Sequence, residues 1–220
     1  MTSLKIDFVS DVACPWCAVG LASLENALLH LGDEVQAELH FQPFELNPQM
    51  GPEGQDITEH LSQKYGSTAE QQAGTWAALR ERGTAVGFEF RKEGRGRVWN
   101  TFDAHRLLYW AGTQSTGAQL ALKKALLGAY FTQARNVSDP AVLLDAVDAA
   151  GLDRTRARAI LDSDEFAREV RDQQGFYAQQ GIRAVPSVIV NDRHLIQGGQ
   201  PPEVFEQALR QIASSQATAE

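Results

Sequence analysis

The 220-residue chain has only two cysteines, and they stand three apart in Cys14-Pro15-Trp16-Cys17. Two intervening residues on the first turn of a helix bring the α-carbons within the roughly 7 Å that a disulfide requires. A sulfur at a helix N-terminus meets unpaired amides and the positive end of the dipole, which favour the thiolate. Cys14 is therefore the candidate nucleophile, with an exposed sulfur. Cys17, one turn further in and less exposed, is the candidate resolving thiol that attacks a mixed disulfide on Cys14. Pro15 suits the first turn, because the N–H it lacks is one the helix leaves unpaired. Trp16 offers an apolar surface beside the sulfur. A structural zinc is the competing use of such a pair, but it needs about four ligands, and neither a second cysteine pair nor a spaced histidine pair follows. The motif leaves the direction of electron flow open, since proteins with this spacing range from roughly −270 to −120 mV.

Val185-Pro186 is the second candidate. Pro186 opens an apolar strand, where proline is tolerated, and a cis bond there would turn the Val185 backbone toward a neighbouring loop. On this reading Val185 offers its N–H and C=O to an extended partner beside Cys14. His105 lies on a helical stretch and has two readings, a polar role near the substrate or a satisfied histidine between packed helices. His30, His40, His60 and His194 are scattered without ligand spacing. The segment 91–97, rich in arginine and glycine, reads as a solvated loop or a lid.

The elements that must position these residues follow from periodicity. Leu4, Ile6 and Phe8 alternate with Lys5 and Asp7 as a strand does, and after the cysteine motif Val19, Leu21, Leu24, Ala27, Leu28 and Leu31 recur at helical steps. A second alternating run at 35–41 completes a strand–helix–strand unit. Residues 57–180 are helical in pattern, with breaks at Gly66, 87–96, Gly117, Asn136 and Gly151, and with Asp139-Pro140 as one start. Strand signals return at 185–190 and 194–196 around the Asn191-Asp192 turn, and a helix from Pro202 to Ile212 precedes a polar tail, 214–220, expected to fray. These pieces make one sheet only if the helical middle is an excursion from it.

Composition is that of a soluble globular protein, with 43% hydrophobic and 22% charged residues. A net charge of −8 repels phosphate backbones and anionic lipid surfaces, so nucleic acid and membrane are not expected partners. No stretch reaches the roughly 18 apolar residues of a membrane span, and the N-terminus carries no secretory pattern. The expected compartment is the cytoplasm, where a cysteine pair is more often catalytic than structural.

Five segments together, Ser10 to Cys17, Pro43 to Pro48, Thr101 to Leu107, Val185-Pro186-Ser187 and Gly198 to Pro201, resemble the FrnE-like branch of the DsbA family over nearly the whole chain. The resemblance implies an α/β thioredoxin-like fold with a large all-helical insertion domain, divided as 1–50 and 176–220 for the first and 51–175 for the second. It also implies a redox-active Cys14/Cys17 pair faced by a cis Pro186, and a His105 helix looking toward the Cys14 pocket. The same superfamily holds 2-hydroxychromene-2-carboxylate isomerases and kappa-class glutathione transferases, which typically carry serine where Cys14 stands.

The expected function is thiol–disulfide exchange with a protein or small-molecule partner. Catalysis falls to Cys14, Cys17 and Pro186, and substrate binding to Trp16, Val185 and His105. No cofactor or metal is required; glutathione is admissible as a co-substrate, and a homodimer is compatible with the sequence. The alternatives are a glutathione-dependent isomerase or transferase, and a non-enzymatic protein whose cysteines sense oxidation.

Overall fold

The computed structural model describes residues 2–217. Strand β1 (Thr2–Ser10), helix α1 (Pro15–Leu31) and strand β2 (Val35–Pro43) form the first unit. The two strands pair in parallel from Thr2 opposite Val35 to Ser10 opposite Pro43, which obliges the helix between them to cross over. The middle of the chain is helical apart from a short antiparallel ladder, β3 (Gln55–Asp56) with β4 (Arg97–Val98), which encloses α2 (Ile57–Tyr65) and α3 (Ala69–Ala85). Then come α4 (Phe102–Gln114), α5 (Thr116–Leu127) with a π turn at Gly128–Thr132, α6 (Pro140–Ala149), α7 (Arg154–Leu161) and α8 (Ala167–Gln179). Strands β5 (Ser187–Val190) and β6 (His194–Gln197) and helix α9 (Pro202–Ala217) end the described chain.

The main sheet has the order β2-β1-β5-β6, so the first and last parts of the chain meet in it, with β5 antiparallel to β1. The β5–β6 turn depends on Asn191 and Asp192, both with positive φ (53° and 56°), the geometry of a type I′ hairpin. Asn191 anchors the turn to β1, since its Oδ1 accepts from the Lys5 N–H at 3.0 Å. Alternation along β1 sends Leu4, Ile6 and Phe8 to one face, while Val9 on the other meets Tyr177 of α8. Helices α1 and α9 pack together, and α4, α5 and α8 pack against β2.

Two polar side chains fix the helical part to the sheet. Gln119 of α5 acts as a substitute strand for the edge of β2: its Oε1 accepts from the Phe41 N–H at 2.9 Å and its Nε2 donates to the Phe41 carbonyl at 3.1 Å. Arg106 of α4, 4% exposed, donates to the carbonyls of Ile160, Ser163 and Glu165 and so ties α4 to the end of α7.

Two sequence expectations are corrected here. Gly117 lies inside α5; the break falls at Ser115, whose Oγ accepts from the Ala118 N–H at 3.0 Å and caps the helix. The tail is not frayed from 214, because α9 continues to Ala217; residues 218–220 lie outside the described residues.

Candidate active site

Cys14 is the N-cap of α1, with extended backbone (φ −93°, ψ 113°), and Pro15 is the first helical residue. No acidic side chain sits in the first turn to compete for the helix N-terminus. The Cys14 N–H donates to the Asp11 carbonyl at 3.2 Å and the Cys17 N–H to the Cys14 carbonyl at 3.1 Å, so the motif closes on itself as a turn. Both cysteines are free thiols.

The expectation of an exposed nucleophile is corrected. Cys14 is 4% exposed and Cys17 is fully buried, because β1, α1 and the strand-opening segment before β5 crowd around the motif. An incoming disulfide must therefore reach Cys14 over its rim. A hydrogen bond shared with the Cys17 thiol holds the Cys14 pKa below its ordinary value; burial opposes this, and the backbone amides of Cys17 and Trp16 add to it. Burial pushes the Cys17 thiol well above the usual range, and the neighbouring Cys14 pushes it the same way. The two sulfurs are thus poised unequally, one toward the thiolate and one held protonated.

Val185 and Pro186 sit against this motif although 171 residues separate Val185 from Cys14. The Val185–Pro186 bond is cis, and the Cys14 thiol donates to the Val185 carbonyl at 3.6 Å. Close packing sets that distance. A Cβ on Gly20 of α1 would lie 3.1 Å from the Pro186 ring and 3.2 Å from the Gly199 Cα, and a Cβ on Gly199 would lie 2.9 Å from the Trp16 carbonyl oxygen. Gly199→Ala is accordingly expected to lower stability by about 1–3 kcal/mol, the range for overpacking a filled interior. Urea denaturation measures it, and an unchanged midpoint would mean the loop carries no such constraint.

Trp16 is half-buried, and the guanidinium of Arg82 lies 5.2 Å from its ring centre. Arg95 donates to the Ala13 carbonyl at 2.5 Å and lies over the Tyr130 and Phe131 rings, so the 91–97 segment is pinned to the cysteine loop. Two guanidinium groups therefore flank the Cys14 turn of an acidic protein.

His105 is 2% exposed, and its Nε2 lies 3.3 Å from Asp11 Oδ1, so it reaches the motif from behind, through Asp11, and presents no surface to a substrate. Of its two readings, the geometry matches the satisfied histidine. Sequence reasoning passed over Asp11 itself. Its carboxylate accepts from the Ala13 N–H (3.2 Å), the Leu46 N–H (2.7 Å), the Thr101 hydroxyl (2.8 Å) and the His105 ring. Burial alone would raise its pKa, but these hydrogen bonds, His105 foremost, outweigh that and hold it below the ordinary value. The available signal was an acid three residues before Cys14, at the end of an apolar strand. Lys123 was missed as well. It is fully buried on α5, on the same helical face as Gln119 four residues earlier.

Comparison with known proteins agrees with this geometry. Residues 5–210 match the DSBA-like thioredoxin domain family. The uncharacterized protein YwbO of Bacillus subtilis is 25% identical, with 94% of this chain and 96% of that protein covered. A probable DsbA oxidoreductase from Streptomyces coelicolor superposes with a TM-score of 0.87 at 35% identity, covering 96% of this chain and 90% of its own. The cytosolic disulfide reductase DsbM from Pseudomonas aeruginosa, solved with GSH, shares the fold at a TM-score of 0.63 and 15% identity, covering 94% and 98%.

Proposed function

This chain belongs to the DSBA-like thioredoxin domain family and is a thiol–disulfide oxidoreductase; from that premise we propose that Cys14 is its attacking sulfur and Cys17 its resolving sulfur. The observation that carries the assignment is the unequal poise of the pair, with Cys14 at the helix end and Cys17 sealed beneath it. The Cys14 thiolate attacks one sulfur of the partner's disulfide, a Cys14–partner bond forms, and the other sulfur leaves as a thiolate that takes a proton from water. Cys17 then loses its proton and attacks Cys14. The Cys14–Cys17 bond forms and the second partner thiol is released. Two electrons have passed from the dithiol to the partner, and two equivalents of thiol restore the reduced pair.

In this reading the Val185 backbone lies alongside an extended partner segment, and Pro186 keeps that backbone within reach of Cys14. Glutathione is the small-molecule partner we favour. It is anionic, the Cys14 turn is flanked by Arg82 and Arg95, and DsbM, of the same fold, is described with GSH. The compartment we propose is the cytoplasm, the setting in which DsbM is described. Its partners are thiols and disulfides; the net charge of −8 disfavours nucleic acid.

Trapping tests the assignment. Cys17→Ala incubated with glutathione disulfide is expected to accumulate a protein carrying one glutathionyl group, with the modified peptide containing Cys14. A variant that stays unmodified, or is modified elsewhere, would refute the division of labour.

A further inference from the structure

The main sheet has two edges, and the fold treats them differently. At β2 the edge is closed, because Gln119 gives Phe41 the donor and the acceptor that a neighbouring strand would supply. At β6 no strand among the described residues pairs with the outer side, and His194, Leu195 and Gln197 are exposed. Natural edges are protected from pairing by lysine, inward-pointing charge, proline, a bulge or a covering element. β6 reads His-Leu-Ile-Gln and keeps a regular register through four pairs, so it carries no lysine, acid, proline or bulge.

The ladder shows which backbone groups are free. The Gly198 N–H donates to the Pro186 carbonyl at 2.8 Å, one step beyond the Ser187–Gln197 pair. Hydrogen-bonded pairs alternate along an antiparallel ladder, so His194 and Ile196 turn their backbone groups to β5, whereas Leu195 and Gln197 turn theirs outward. Gln200 Nε2 takes the Gln197 carbonyl at 2.7 Å. The Leu195 N–H and C=O and the Gln197 N–H are left facing out. Leu195 is 48% exposed and stands opposite half-buried Ile189, which makes an apolar ledge beside these groups. The strand then runs into Gly199, where a Cβ would lie 2.9 Å from the Trp16 carbonyl oxygen. The open edge therefore ends beside the cysteine turn.

Resting on the reading of Cys14 as the attacking sulfur, we propose that β6 is a docking edge for an extended, cysteine-bearing polypeptide substrate, which adds to the sheet as a fifth strand and delivers its disulfide to Cys14. A residue opposite Leu195 in an antiparallel added strand exchanges both N–H···O bonds with it, and its side chain lies on the Leu195–Ile189 ledge. At about 3.4 Å per residue, a cysteine some five residues before that position crosses Gly199 and reaches the cysteine turn. Three free backbone groups on four residues do not make the roughly 1,200 Å² of a stable interface between folded partners, so the edge suits a segment that is released after exchange better than a second copy of the chain.

The test compares two chromogenic disulfides with one leaving group. One is a peptide whose cysteine, followed by an alternating valine and threonine run, is joined to nitrothiobenzoate; the other is N-acetylcysteine amide joined to the same group. In each, Cys14 attacks the cysteine sulfur, the new disulfide forms and nitrothiobenzoate leaves as its coloured thiolate. The native chain is expected to show a kcat/KM at least tenfold higher for the peptide. Methylating the backbone nitrogens of the valine and threonine run, which blocks strand pairing and keeps the side chains, should remove that preference without any change in the protein. Leu195→Pro, which deletes an outward N–H and no ladder bond, should remove it too, while the rate with the capped cysteine stays unchanged. Equal kcat/KM for the methylated and unmethylated peptides overturns the proposal. So does a native dimer in sedimentation that Leu195→Pro dissociates, since a second copy then occupies the edge. If these arms fail while Cys17→Ala still traps glutathione on Cys14, only the docking edge falls; if that trap fails, the Cys14 assignment falls and this inference with it.

Discussion

Replacing Cys14 by serine is expected to lower the rate of disulfide exchange by more than about a thousandfold, because a hydroxyl is not ionised where a thiol at a helix end is. The proposed reactivity of the Cys14 sulfur comes from position: the hydrogen bond from Cys17 and the amides of Cys17 and Trp16 stabilise the anion and outweigh burial and the charge of Asp11, and the first turn of α1 carries no acid. The native chain adds a check in its pH profile. With the Cys14 pKa held below the ordinary thiol value of 9.0, the attack rate should climb with pH and reach half of its plateau below that value. Reduction of a chromogenic disulfide across the pH range measures both quantities. Residual exchange in Cys14→Ser within tenfold of the native rate would show that the chemistry runs elsewhere in the molecule.

Asp11→Ala is the second large effect, and it falls on stability. Four donors converge on this carboxylate from the cysteine loop, from the Leu46 backbone and from α4 with its approach: Ala13, Leu46, Thr101 and His105. Truncation leaves them without an acceptor in a region closed to water, at a cost of about 3–5 kcal/mol. The pH dependence has a definite sign. A carboxyl whose folded pKa is depressed stabilises the native state above its unfolded pKa of 3.8, and the contribution is lost as pH falls through the folded value. Acid unfolding should therefore be shallower for Asp11→Asn than for the native chain below about pH 4, while at neutral pH the variant is already the less stable. Urea midpoints at the two pH values measure this. A native-like midpoint for Asp11→Ala at neutral pH would remove Asp11 as the anchor of the site.

Much of this protein was legible before any coordinates. Cys14, Pro15 and Cys17 announce a helix end with a thiol on it, because spacing, capping preference and the proline requirement are all local. Asn191-Asp192 announces a hairpin for the same reason, since the two residues tolerate the positive φ that the turn needs. The strands at 4–8 and 35–41 followed from a period-two alternation that holds along a single segment.

What the sequence alone left open concerns which elements cover one another. Local periodicity shows that α5 has an apolar face; it does not show that Gln119 on that face meets the edge of β2, or that Lys123 one turn later is fully buried. Asp11 reads as a strand-ending acid until α4, some 94 residues away, brings His105 against it. Cys14 reads as exposed until Val185 is folded over it from 171 residues further on. In each case the deciding partner is distant in the chain, and the protonation and burial of a polar group depend on that partner. The chain by itself therefore determined which chemistry was present and where the helix and the turns begin. Only the tertiary structure decided which of its polar groups are sealed from water, because desolvation belongs to the packed assembly and to no single segment.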